Sequence, residues 1–140
     1  MPKIEGLVVE KLQACGGFTK LDLSAAPNLT KLFCSHNDLT ALDLSAVPNL
    51  TILGCSGNQL TALDLSAVSN LTELFCSENQ LTALDLSPVP NLTWIECNEN
   101  QLTELDIRPV RECEDLYYDY DNDKTRLIQT ESTTRLFNPQ

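Results

Sequence analysis

Six cysteines, a single histidine and a surplus of carboxylates carry whatever chemistry this 140-residue sequence can do. Thiols at the right spacing make disulfide frameworks, zinc sites or nucleophiles. Cys34, Cys55, Cys76 and Cys97 fall 21 residues apart, and no CxxC pair occurs. Zinc sites use close pairs, and disulfide frameworks use irregular spacings. Thiols repeated once per unit form a straight column, spaced about one strand apart (~5 Å), which does not converge on a tetrahedron. They read as small, buried, polarisable packing groups and as free thiols. The nucleophilic option rests on Cys15 and His36, in neighbouring columns of adjacent strands. Nothing in the sequence supplies a third group to orient the imidazole, and an open sheet excludes water poorly. The expectation is a non-enzymatic protein with no cofactor and no metal. A cysteine-dependent enzyme using Cys15 and His36 is the minor alternative.

Carboxylates form a second column, Asp22, Asp43, Asp64, Asp85 and Asp106. One carboxylate per unit does not make the six-to-eight-oxygen cage calcium requires, so these side chains are expected to be solvated or bonded to nearby Ser or Thr. Asp119, Asp121 and Asp123 match the first ligand positions of an EF-hand loop. Lys124 and Thr130 then stand where its glycine and bidentate glutamate belong, so the match fails at its diagnostic positions. Asn37, Asn58, Asn79 and Asn100 recur at each strand's end, where an amide can satisfy backbone groups of adjacent units. Asn28, Asn49, Asn70 and Asn91 each begin an N-L-T triplet, read as loop residues generated by the repeat.

The element that must position all of these is the repeat itself. LTALDLSAVPNLTILGCSGNQ (39–59), LTALDLSAVSNLTELFCSENQ (60–80) and LTALDLSPVPNLTWIECNENQ (81–101) are nearly verbatim copies. Weaker copies flank them, the first one residue short. Six coils result, with core positions Leu12, Leu32, Leu53, Leu74, Ile95 and Leu116, and with Ala14 and Tyr118 taking the cysteine slot in the end coils. A single unit cannot bury its apolar side, so stacked units share one core. Alternation at Leu53/Cys55 and Leu63/Leu65 predicts two short extended segments per coil, joined by turn-forming Ser, Gly, Asn and Pro. The connectors are too short for regular helix.

The pattern LxxLxCxxNxLTxLDLS resembles the leucine-rich repeat, and within it the bacterial 21-residue subclass with a cysteine ladder found in internalin-like proteins. The resemblance spans roughly residues 7–121. It implies a right-handed β/α-type superhelical solenoid, mostly β with little regular helix, with one parallel sheet on the concave face. The solenoid is assigned to 1–123. Residues 124–140, rich in Thr with Leu127/Ile128 and Leu136/Phe137, are read as a short hairpin or extended cap over the open end of the core.

Twenty acidic residues against nine Lys and Arg give a net charge of −11. That field repels phosphate backbones and anionic lipid, so neither nucleic acid nor membrane is an expected partner. No apolar run approaches the ~20 residues of a membrane span. The start, MPKIEGLVVE, does not read as a secretion signal, so a cytoplasmic monomer is expected.

The coils differ where side chains beside the core positions point outward. Aligning the strands gives one column of Lys11, Lys31, Ile52, Glu73, Trp94 and Asp115, and a second of Gln13, Phe33, Gly54, Phe75, Glu96 and Tyr117. A third runs Cys15, Ser35, Ser56, Ser77, Asn98 and Asp119, and a fourth Gly16, His36, Gly57, Glu78, Glu99 and Tyr120. Exposed aromatics rimmed by carboxylates suit a protein or peptide partner with a basic patch. Phe33, Glu73, Phe75, Trp94, Glu96, Tyr117 and Tyr120 are the predicted binding residues, with Trp94 the anchor. The competing reading is a recently duplicated or engineered scaffold with no specific ligand.

Overall fold

The computed structural model describes residues 11–118 and 125–129. Each coil contributes one three-residue strand: β1 (Lys11–Gln13), β2 (Lys31–Phe33), β3 (Ile52–Gly54), β4 (Glu73–Phe75), β5 (Trp94–Glu96) and β7 (Asp115–Tyr117). They form one parallel sheet in the order β1-β2-β3-β4-β5-β7. The register is the one the period dictates: Leu12, Leu32, Leu53, Leu74, Ile95 and Leu116 are successive partners. No helix occurs among the described residues.

The core follows from the repeat. Leu32, Leu53, Leu74, Ile95 and Leu116 are at most 1% exposed, as are Cys34, Cys55, Cys76 and Cys97. Each such leucine contributes about 1.5–3 kcal/mol of transfer free energy. Hydrogen bonding runs past the strand ends, with Cys55 N donating to Phe75 O at 2.8 Å and Gly57 N to Ser77 O at 3.0 Å. On the entry side a threonine ladder repeats the same logic, the hydroxyls of Thr51, Thr72 and Thr93 donating to the carbonyls of Thr30, Thr51 and Thr72.

The return path of each coil is two consecutive tight turns rather than helix. Val47 N donates to Leu44 O at 3.1 Å and Leu50 N to Val47 O at 3.2 Å, a pattern repeated in the neighbouring coils. The aspartate column starts these turns: Asp43, Asp64 and Asp85 each accept the backbone N–H two residues on. Bonds from Ser45, Ser66 and Ser87 hold these carboxyls below the ordinary value. Asp106 accepts the N–H of Arg108 in the same way at 3.1 Å and adds a two-point pair with its guanidinium, at 2.9 and 2.7 Å. The column is therefore satisfied within its own turns, as the ligand count suggested.

Pro27, Pro48 and Pro90 occupy the second position of the second turn, where a φ locked near −65° fits; the fourth coil has Ser69 there. Ser69→Pro is expected to raise stability by about 0.5–1 kcal/mol in urea denaturation, by narrowing the unfolded ensemble.

Two features lie outside the sequence expectations. The first is a second parallel sheet, formed by β6 (Glu104–Asp106) and β8 (Arg126–Ile128), beside the single sheet expected. Thr125 Oγ1 donates to Leu102 O at 2.8 Å, and Arg126 pairs with Glu104 at 2.9 Å. Residues 126–128 thus stack in parallel on Glu104–Asp106; the rest of the expected cap lies outside the described residues. The second feature is backbone handedness in the fourth column. Gly16, Gly57, His36, Glu78 and Glu99 all have positive φ, the last three at 59°, 55° and 55°. The chain turns sharply there, bringing the asparagine that follows His36, Gly57, Glu78 and Glu99 inward, and only glycine does so without strain.

Candidate binding face

The asparagine ladder fixes how the strands sit. Asn58 Nδ2 donates to Cys34 O and Cys55 O, both at 3.0 Å, and its Oδ1 accepts from Leu39 N at 3.0 Å. Asn37, Asn79 and Asn100 repeat this between their own coil and the preceding one. Each amide therefore joins two coils, bonding four backbone groups with the carbonyl two residues before it included, which holds the strands in register and points their outward side chains in fixed columns.

On the three C-terminal strands of the main sheet those columns interlock. Glu73, Trp94 and Asp115 are successive partners, as are Phe75, Glu96 and Tyr117. Each strand thus carries one aromatic and one carboxylate, and the order reverses on β5, giving an alternating board of three aromatics and three acids. Trp94 meets Phe75 at a ring-centroid distance of 6.3 Å and Tyr117 at 6.0 Å, tilted by 41° and 32°. Diagonal neighbours on a sheet lie within reach of large rings, so the aromatics form a continuous ridge. Trp94 Nε1 donates to Glu96 Oε1 at 3.0 Å, which fixes the indole plane. All six side chains are half-buried. The aromatics were expected to stand exposed; they shield one another, because each ring reaches the next strand's ring.

Of the remaining predicted residues, Phe33 lies over Gly54, where a Cβ would come within 3.2 Å of its Cδ1, so it covers β3. Tyr120 lies outside the described residues, as do Asp119, the EF-hand-like acids and the chain beyond 129. Asp115 joins the set; its register with Trp94 was the signal that should have placed it there.

Cys15 and His36 do share a site, the wall of an open hollow of about 480 Å³ with Gln13, Ala14, Phe33 and Ser35. The imidazole rests against Gly57, where an added Cβ would come within 2.5 Å of its Nδ1. No described group orients the ring by a hydrogen bond. Among the described residues, no three His, Cys, Asp or Glu side chains stand close enough to hold a metal.

Burial separates the thiols by reactivity. It pushes Cys34 up to about 12 and Cys113 up to about 11, and Cys55 and Cys76 well above the ordinary value, their neighbours' thiols adding to the effect. At neutral pH a raised thiol pKa leaves almost no thiolate, the reactive form. Alkylation of the native protein should therefore label exposed Cys15 first and Cys113 slowly. Cys34, Cys55, Cys76 and Cys97 should react only after denaturation, when mass spectrometry should count all six. Rapid native labelling of the four would show a wet interior.

Residues 27–67 match a family model of leucine-rich repeats in two copies. The functional domain of InlJ from Listeria monocytogenes, which includes a cysteine ladder, is similar at 33% identity with a TM-score of 0.70. That match covers 87% of this chain and 29% of that one. The leucine-rich repeat domain of APL1B is 26% identical with a TM-score of 0.62, over 76% of this chain and 32% of that one. A chain of the LRIM1/APL1C complex is 28% identical with a TM-score of 0.61, over 75% and 20% respectively. The chain thus spans about a third or less of each of these structures. No curated protein matches the sequence.

Proposed function

This chain is a leucine-rich repeat protein with a cysteine ladder, and from that premise we propose that it is a non-enzymatic module binding a protein or peptide through the aromatic-acidic end of its main sheet. One observation carries the reading. The coils are almost identical in core, turns and ladders, yet on the outward face of β4, β5 and β7 they diverge into interlocked aromatics and carboxylates. A face that only had to stay soluble gains nothing from a tryptophan, whereas aromatic anchors within a polar rim are the makeup of an interface. LRIM1 and APL1C, to which the fold is similar, are seen as a complex.

The surplus of negative charge selects a partner with a basic patch and disfavours nucleic acid and anionic membrane. The exposed Cys15 thiol is consistent with a reducing compartment, and the protein is proposed to act there as a monomer. The test is capture of partners from the source cell's lysate on immobilised wild type and Trp94→Ala. A protein held by the first and released by the second supports the reading. Equal capture by both moves the binding site off this face.

A further inference from the structure

The board on β4, β5 and β7 has a property that a general basic-patch reading does not use. Its acids are interleaved with rings rather than gathered. Glu73 and Asp115 flank Trp94 on either side in the same column, one strand spacing (~4.8 Å) away. Glu96 stands between Phe75 and Tyr117 and is already committed to the indole N–H. Glu73 and Asp115 hydrogen-bond through their backbone alone, and their carboxylates make no hydrogen bond or ion pair to any described residue. Both are half-buried, so part of their hydration is already gone. No cation from the described part of the chain neutralises the three carboxylates. Lys31 sits on β2, and Arg108 and Arg126 are engaged with Asp106 and Glu104.

We propose that this board recognises arginine side chains of the partner, the guanidinium lying on the Trp94 ring with its edge N–H groups turned to Glu73 or Asp115. The inference rests on the proposed binding face and names the group that the face selects. The chemistry separates arginine from lysine. A guanidinium is planar, weakly hydrated, stacks on an aromatic face and presents a fork of donors that fits a carboxylate. It therefore uses ring and acid together. An ammonium is a compact, strongly hydrated point charge that gains from the acids and little from a tilted ring. Pinning of the indole by Glu96 means the ring need not be ordered on binding, which lowers the entropic cost of stacking. Three rings at about 6 Å spacing, each beside an acid, offer room for more than one arginine along an extended segment.

Trp94 is the one tryptophan of the chain, so its emission reports occupancy directly. The full chain is titrated at low salt with three uncharged-backbone peptides of equal length, carrying two arginines, two lysines or two citrullines. The arginine peptide is expected to shift or quench the emission with an affinity at least fivefold above the lysine peptide, and the citrulline peptide to have no effect. Glu73→Gln combined with Asp115→Asn, checked for an unchanged circular dichroism spectrum, is expected to remove the preference. Equal response to arginine and lysine would overturn the inference and leave the binding face standing as a charge-selective surface. No response to any peptide, with capture of a partner still dependent on Trp94, would likewise overturn the inference alone. No response together with Trp94-independent capture would sink both.

Discussion

Asn79→Ala is expected to cost about 3 kcal/mol of folding stability, the largest loss from any single polar side chain among the described residues. Its Nδ2 donates to Cys55 O at 3.0 Å, Cys76 O at 3.2 Å and Ser77 O at 3.1 Å, and its Oδ1 accepts from Leu60 N at 3.0 Å. Asn79 and the residues it serves at positions 55, 60, 76 and 77 are all buried. Truncation leaves Leu60 N without a partner in the interior and takes one of two donors from each carbonyl, Cys55 O keeping Asn58, Cys76 O keeping Asn100 and Ser77 O keeping Gly57 N. The orphaned donor costs about 1–3 kcal/mol and each lost bond about 0.5–1.5 kcal/mol. Urea denaturation of Asn79→Ala against the exposed neighbour variant Gln80→Ala measures the difference. A loss below about 1 kcal/mol would show that water fills the gap.

Asn79→Asp sharpens the test, because it keeps shape and removes the donor. A carboxylate facing carbonyl oxygens is destabilised, so the folded-state pKa of the new acid is raised above its unfolded value near 4. Stability of that variant is then lost as pH rises through this range and regained as it falls.

Trp94→Ala is expected to weaken partner binding by about 2 kcal/mol or more, chiefly through faster dissociation. The side chain is the centre of the ridge, touching Phe75 and Tyr117 and bonded to Glu96. Its removal takes away the largest apolar area and unpins its neighbours. Folding should suffer little, since the residue is half-buried and outside the core cluster. Glu73→Gln is the contrasting variant. It should slow association and flatten its dependence on salt while leaving dissociation nearly unchanged. Surface plasmon resonance with a captured partner separates the two. Dissociation unchanged in Trp94→Ala would remove Trp94 as the anchor.

Much of this was legible beforehand for a definite physical reason. A near-verbatim repeat leaves one register that buries every leucine and cysteine at once, so strand pairing such as Leu53↔Leu74 could be read from spacing alone. The same register assigned the outward columns and hence brought Glu73, Phe75, Trp94, Glu96 and Tyr117 together. The left-handed turn escaped because only Gly16 and Gly57 advertise it; His36, Glu78 and Glu99 adopt the same conformation against their preference, held there by the asparagine that follows. The pairing of β6 with β8 escaped because it breaks the period. Its partners Leu105 and Leu127 are 22 apart, so the tail segment drops out of any 21-residue alignment. Mutual shielding of the rings depends on side-chain tilt, which column assignment does not contain.

The asparagine ladder also governs how such a chain can change length over evolutionary time. Each amide bonds only its own coil and the one before, through groups every coil presents identically. A duplicated or deleted whole coil therefore leaves every surviving amide with a full set of partners. A gap of one residue between an amide and the groups it serves puts them out of register; the residue missing from the first coil falls where that coil's own asparagine would stand, so Asn37 keeps Ala14 O and Phe18 N. Genetic slippage is filtered accordingly: whole-coil steps pass as folded proteins and most fractional steps do not. Inserting a copy of residues 60–80 would move the aromatic board one strand further from the Cys15 hollow without altering either, so the array behaves as a ruler whose graduations are its asparagines.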